Sequence, residues 1–208
     1  IDAQLTPKWS HFAEVYWEHY AKFQEKGTNR VLPLLREGEA TIIPDSNFQQ
    51  FFQAEVEFQT LKRILELSST TELAARNIFK GVKHSQVREF VEHHFQGPDT
   101  LLRPGFKEFI SLLPANRFHV VSVNWSPEFI RNVIGYDNVL PEHVSCNNLI
   151  SQGDEYTGQF SNKLLTGADK IKVIADILTE YDKRDENCAW YVGDSDTDLL
   201  GVLYPNIN

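Results

Sequence analysis

The sequence contains no methionine, not even at position 1, where Ile1 stands. A natural reading frame begins with Met, so these 208 residues read as a fragment or a processed form. Cysteine is scarce: Cys146 and Cys188 are the two in the chain, too few for a disulfide framework. Both have apolar or small neighbours, which points to reduced, buried thiols and a cytoplasmic setting. No apolar run approaches the roughly 18 residues that a membrane span needs, and no signal-peptide pattern opens the chain. Positive charge is also short, with 20 Lys+Arg against 29 Asp+Glu and a formal charge of −9. An acidic chain without a basic block excludes general binding to nucleic acid or anionic membranes, and leaves room for a local basic pocket that takes a small anion.

What is present suits a folded chain. With 41% hydrophobic and 12% aromatic residues, the composition rules out disorder as the whole answer. The length fits one domain, or one core with a modest insertion.

Two kinds of pattern divide the chain near residue 100. Residues 1–97 carry helical periodicity. His11 to Phe23 places aromatics at 12, 16, 20 and 23, one face of a helix. Asn47 to Leu67 has apolar residues at 48, 51, 52, 54, 58, 61, 64 and 65. Thr71 to Phe79 reads as a further helix with its start at Thr70 or Thr71, and Ser85 to Phe95 as another. This part reads as a helical bundle. Residues 98–208 alternate instead. Phe118 to Val123 is a Val-rich run of strand character, followed by Pro127 in the first turn of a helix to Val133. Val144 to Ile150 is a second strand candidate, with Gly153-Asp154 as a turn and Tyr156 to Phe160 as a hairpin return. Asp169 to Tyr181 is a helix, Cys188 to Val192 a third buried strand, and Thr197 to Tyr204 a last helix. Such alternation predicts an α/β fold with a parallel, Rossmann-like sheet.

Three segments could carry chemistry. In Trp190-Tyr191-Val192-Gly193-Asp194-Ser195-Asp196-Thr197-Asp198, an apolar strand runs into a glycine and then three acids at alternate positions. Ligands of parallel sheets bind outside the carboxyl ends of the strands, and carboxylates there are hard oxygen ligands suited to Mg²⁺. Asp194 and Asp198 are therefore candidate metal ligands. The plainer alternative is that Asp196 or Asp198 caps the following helix. In Ser122-Val123-Asn124-Trp125-Ser126, a hydroxyl and free backbone N–H groups between a strand and a helix make a candidate phosphate cradle. Ser126 is the natural cap of the helix at Pro127. Lys170, in the first turn of its helix, stands where the dipole disfavours a cation. It either meets an anion or is solvated. No His/Cys set has zinc spacing.

The order strand-Ser122, helix-start Lys170, then Gly193-Asp194-Ser195-x-x-Asp198 resembles the haloacid dehalogenase-like hydrolases, in their phosphoserine-phosphatase-like branch. The stretch from Val120 through Leu200 is similar to fungal members and to the plant phosphatase domain that hydrolyses thiamine monophosphate. The resemblance implies a HAD-like core over 98–208 and an inserted helical cap over 1–97. It implies an Mg²⁺-dependent hydrolase of a small-molecule phosphomonoester, acting through an aspartyl-phosphate. Ser122, with the amides of Val123 and Asn124, would hold phosphoryl oxygens. Lys170 would neutralise charge, Asp194 would bind Mg²⁺ and Asp198 would support the site. The family's first motif, Asp-x-Asp, is absent. Thr41 to Asn47 has one acid and a proline and does not qualify, so the nucleophile is expected upstream of Ile1, and a further strand beyond Asn208. The cap aromatics Trp9, Tyr16, Trp17 and Tyr20 could stack on a heteroaromatic substrate or simply pack. A catalytically inactive relative, serving as a ligand- or partner-binding module, is the alternative. A dehalogenase lacks the Mg²⁺ site and fits the aspartates poorly.

Overall fold

A computed structural model describes residues 7–25, 48–96, 100–182, 189–205 and 207. The expected break at 96–99 is described only as far as Gln96, and both Thr41–Asn47 and Cys188 lie outside the described residues. The fold is α/β, and it divides into two compact units, residues 1–69 with 165–208 and residues 70–164. No helix among the described residues is long and apolar enough to cross a membrane.

The first unit contains α1 (Trp9–Glu25), most of α2 (Phe48–Ala75), α6 (Gly167–Asp182), a 3-10 turn at Asp196–Asp198 and α7 (Leu199–Val202). Phe12, Leu65, Leu165, Ala168, Ile174 and Leu200 form its apolar interior. Edge-to-face packing of Phe23 on Phe58, with ring centroids 5.7 Å apart, joins α1 to α2. Thr70 and Thr71 do not start a new helix, because α2 runs through them to Ala75. A threonine caps a helix only where the preceding turn is absent, and here the chain arrives already helical.

The second unit holds α3 (His84–Phe95), α4 (Phe106–Ser111), β1 (Val120–Val121), α5 (Pro127–Ile134), β2 (Val144–Ser145), β3 (Leu149–Gln152) and β4 (Glu155–Phe160). β1 and β2 are parallel, with Val120 opposite Val144 and Val121 opposite Ser145. The connection between them passes through α5, which makes a β-α-β unit. Ser126 caps α5 as expected, its Oγ accepting from the Phe129 N–H at 3.0 Å. β3 and β4 form an antiparallel hairpin with a bulge between Leu149 and Ser151. Its turn needs Gly153, which sits at φ +64° where a side chain would be strained. Leu73, Val91, Ile110, Val139, Phe160 and Leu164 are buried here.

Two strand expectations change. Val144 to Ile150 is not one strand: pairing with β1 stops at Ser145, and the chain re-enters a different ladder at Leu149. The break falls at Asn147, whose N–H donates to Asn124 O and whose side chain is wholly buried. The expected buried strand Cys188–Val192 does not form in its described part, 189–192. Trp190 is 80% and Val192 86% exposed. A strand exists only through a neighbour's backbone, and no described strand pairs with this one. The helix expected over Thr197–Tyr204 shortens to the 3-10 turn and α7.

Candidate active site

In the first unit the acidic loop closes around Asp198. Its Oδ1 accepts from Lys170 Nζ and from the Tyr191 hydroxyl, each at 2.5 Å. Its Oδ2 accepts from the Ser195 hydroxyl at 2.6 Å and the Ser195 N–H at 3.0 Å. A carboxylate offers about four acceptor positions, so Asp198 is fully engaged. Burial alone would raise its pKa. The hydrogen bonds from Lys170, Ser195 and Tyr191 outweigh that and bring it down to about 2. The Tyr191 hydroxyl is pushed the other way, chiefly by burial, and stays a donor.

Lys170 therefore meets an anion. It is 5% exposed, on the fourth residue of α6, and the solvated alternative does not hold. Gly193 is fixed by close approach: a Cβ there would lie 2.4 Å from Asp198 Cβ and Cγ. Asp194 is exposed, and its carboxylate has no hydrogen-bond partner among the described residues. The loop thus holds one committed carboxylate, Asp198, and one carboxylate with all its acceptor capacity left, Asp194. Mg²⁺ commonly takes one or two carboxylates and completes its shell with water and phosphate oxygens, and an unengaged carboxylate such as Asp194 has the donor chemistry for that role.

The capping alternative holds for Asp198, which forms a capping box with Ser195, and not for Asp196. Asp196 Oδ2 accepts from Lys62 Nζ at 2.7 Å, and Lys62 also pairs with Glu66 at 3.3 Å. Burial would lower the Lys62 pKa, but Asp196 and Glu66 hold it above the ordinary lysine value. Gln59 donates to Asp196 O at 3.3 Å and accepts from the Gly167 N–H at 3.2 Å. It also donates to Glu55 at 2.9 Å. Tyr16 reaches Glu66 at 3.2 Å. Arg63 bonds Asp169, which in turn accepts the Leu165 N–H at 3.0 Å ahead of α6.

This polar face of α2 was missed by sequence reasoning. Glu55, Gln59 and Lys62 are buried, while Leu61 is 52% and Ile64 76% exposed. Of the apolar positions on this helix, Leu61 and Ile64 face outward, while Leu65 is buried beside the polar row. The signal was the spacing 55, 59, 62, 66, which is a helical face of its own. Of the α1 aromatics, Tyr16 is tied to Glu66, whereas Trp9 and Trp17 are exposed.

In the second unit, Ser122 leaves β1 with its N–H still on Ser145 O at 2.9 Å. Its Oγ accepts from the Asn124 N–H at 3.1 Å, and Asn124 Oδ1 accepts from the Ser126 N–H at 2.9 Å. Two of the loop's amides, expected to be free, are therefore satisfied within the loop. The Val123 and Trp125 N–H groups have no acceptor among the described residues. Asn147 pins the same loop: its Nδ2 donates to Val123 O at 3.1 Å and to Leu164 O at 2.5 Å, while its Oδ1 accepts from the Leu164 N–H at 2.8 Å. Nothing in the sequence pattern distinguished Asn147 from its neighbour Asn148.

Cys146 is half-buried, its thiol donating to Asn147 O, and burial pushes it up to about 11. It is no nucleophile at neutral pH. No cluster of three or more His, Cys, Asp or Glu side chains arranged for a metal occurs among the described residues.

A lysine buried against the last aspartate of a Gly-Asp-Ser-x-x-Asp loop agrees with a family comparison over most of the chain. The model of the haloacid dehalogenase-like hydrolases matches residues 16–201. The chain belongs to that family. It is also 40% identical over 220 aligned positions to Cold tolerance protein 1 of Saccharomyces cerevisiae, an alignment that covers all of this chain and 69% of that protein. No solved structure matches. As a haloacid dehalogenase-like hydrolase, the chain is assigned to hydrolytic chemistry.

Proposed function

We propose that this hydrolase is an Mg²⁺-dependent phosphatase of a small-molecule phosphomonoester. The supporting observation is the Lys170–Asp198 pair beside Asp194. A buried ammonium held by a fully engaged carboxylate cannot swing away, so its charge stays where a dianionic group would need it. Asp194 keeps its acceptor capacity for Mg²⁺, and Asp198 supports the site by holding Lys170. The ion would supply charge neutralisation at the transferring group. Ser122 and the N–H groups of the 122–126 loop would hold phosphoryl oxygens, with the Val123 N–H available and the Asn124 N–H exchanging its bond to Ser122 Oγ for one to the ligand.

The resemblance would supply the covalent step: an aspartate of the family's first motif attacks the phosphoryl group, the alcohol leaves, and water hydrolyses the resulting aspartyl-phosphate. Thiamine monophosphate is the first substrate to try, on the likeness to plant phosphatases of that ester. Residues 1–97 would serve as the helical cap that the resemblance implies.

The test is phosphate release by the intact natural protein from a panel of phosphomonoesters, with and without Mg²⁺. Asp194→Asn should reduce turnover at least a hundredfold without lowering the melting temperature, since Asp194 is exposed and holds no other group. Undiminished turnover in that variant would exclude the assignment, as would phosphate release indifferent to Mg²⁺.

A further inference from the structure

A cleft of about 350 Å³ lies in the second unit, outside the lysine–aspartate site. His84, Ser126, Glu128, Ser151, Tyr156 and Ser161 supply its polar walls. The cleft is at the small end of metabolite sites, which run from roughly 300 to 1,000 Å³. Its walls are built rather than incidental. The backbone of 81–84 runs against the hairpin, with the Tyr156 N–H on Val82 O at 2.9 Å and the His84 N–H on Asp154 O at 3.1 Å. This brings the His84 ring to 4.7 Å from the Tyr156 ring. His84 Nδ1 bonds Glu128 Oε2, and the Tyr156 hydroxyl reaches the same oxygen at 3.1 Å. Burial raises the Tyr156 pKa, so the phenol remains the donor.

Two features give the cleft a chemistry. Glu128 uses two of its four acceptor positions, both on Oε2. The nearest cation to Oε1 is Arg88 at 3.9 Å, beyond hydrogen-bond reach. No lysine or arginine lines the cleft; Glu128 is the one carboxylate in its wall, and its counter-charges are the long ion pair to half-exposed Arg88 and, when protonated, His84. Ser126, the last residue of the 122–126 loop, is also part of the cleft wall. The Ser126 N–H is held by Asn124, and its Oγ lies 3.5 Å from the Tyr156 hydroxyl.

We propose that this cleft is the subsite for the alcohol half of the substrate, and that it selects a compact alcohol bearing an ammonium-type cation. A carboxylate with unfilled acceptor positions in a partly buried setting rewards a charged N–H donor, penalises an anion and is indifferent to a neutral diol. The proposal rests on the phosphomonoesterase reading in one respect, that the alcohol arrives as its phosphate ester.

The experiment separates the two. Ethanolamine, ethylene glycol and glycolate are nearly isosteric and differ in charge. Each is titrated into the intact protein at pH 8, followed by NMR shifts at the His84 ring, for wild type, Glu128→Gln and Ser151→Lys. Ser151 is exposed, so the added lysine places a cation in the cleft wall without disturbing the buried pair. Ethanolamine should bind at least tenfold more tightly than glycol or glycolate, and each variant should erase that preference. Equal binding of the three probes, or a preference that survives in Ser151→Lys, overturns the subsite. Phosphate release from the corresponding esters is measured alongside. A cation preference without hydrolysis of any ester keeps the subsite and defeats the phosphatase reading. Hydrolysis without charge preference does the reverse.

Discussion

Replacing Lys62 with methionine tests which face of α2 is the inner one. Lys62 is buried on that helix and neutralises two carboxylates, Asp196 at 2.7 Å and Glu66 at 3.3 Å. Methionine keeps most of the side-chain volume and removes the charge. Breaking a fully buried pair from one side costs about 3–5 kcal/mol. Here Asp196 is 38% exposed on its side chain and can turn to water, while Glu66, at 22%, is more confined. The expected loss is therefore smaller, about 2 kcal/mol, near the value of one charge-assisted hydrogen bond. For a chain of this size that is a fall in melting temperature of about 4–8 °C. The companion variant is Ile64→Ala on the opposite face. Its side chain is already in water, so it should change stability by less than about 0.5 kcal/mol. Calorimetry of the two variants and wild type under one buffer decides the matter. An ordinary amphipathic helix would give the reverse ranking. Should Ile64→Ala lose more than Lys62→Met, the polar face does not hold Asp196 and the account of α2 is wrong.

Two further outcomes follow from the same geometry. Asp198 has a folded pKa of about 2 against an ordinary 3.8, so its stabilisation is complete above the ordinary value and is lost as pH falls through 2. That is worth about 2 kcal/mol. In melts of the metal-free protein from pH 5 down to 2, the stability gap between wild type and Asp198→Asn should shrink toward the acid end, and a constant gap would contradict the assignment. Asn147→Leu keeps the volume but strands the Leu164 N–H and carbonyl and the Val123 carbonyl, each worth about 1–3 kcal/mol when buried and unpaired. A loss of at least about 2 kcal/mol by urea denaturation is expected, and a neutral substitution would show that Asn147 does not pin the 122–126 loop.

The sequence by itself determined what depends on near neighbours along the chain. Period-3.6 aromatics predicted α1, Ser126-Pro127 predicted the start of α5, and Gly153-Asp154 predicted the hairpin turn, because caps, turns and helical faces are settled within a few residues. The Gly-Asp-Ser-x-x-Asp loop was legible for the same reason. Lys170 was visible only as a misplaced charge. Tertiary structure alone decided its partner, Asp198, since 28 residues separate the two and no local rule joins them. The same holds for one turn of α2, where Ile64 is exposed and Lys62 buried: a helix face is inner or outer according to what packs on it, and here a polar loop does. Strand length was likewise undetermined, because Val144 to Ile150 and 189–192 had strand-like side chains, whereas a ladder is made by the backbone of a distant neighbour.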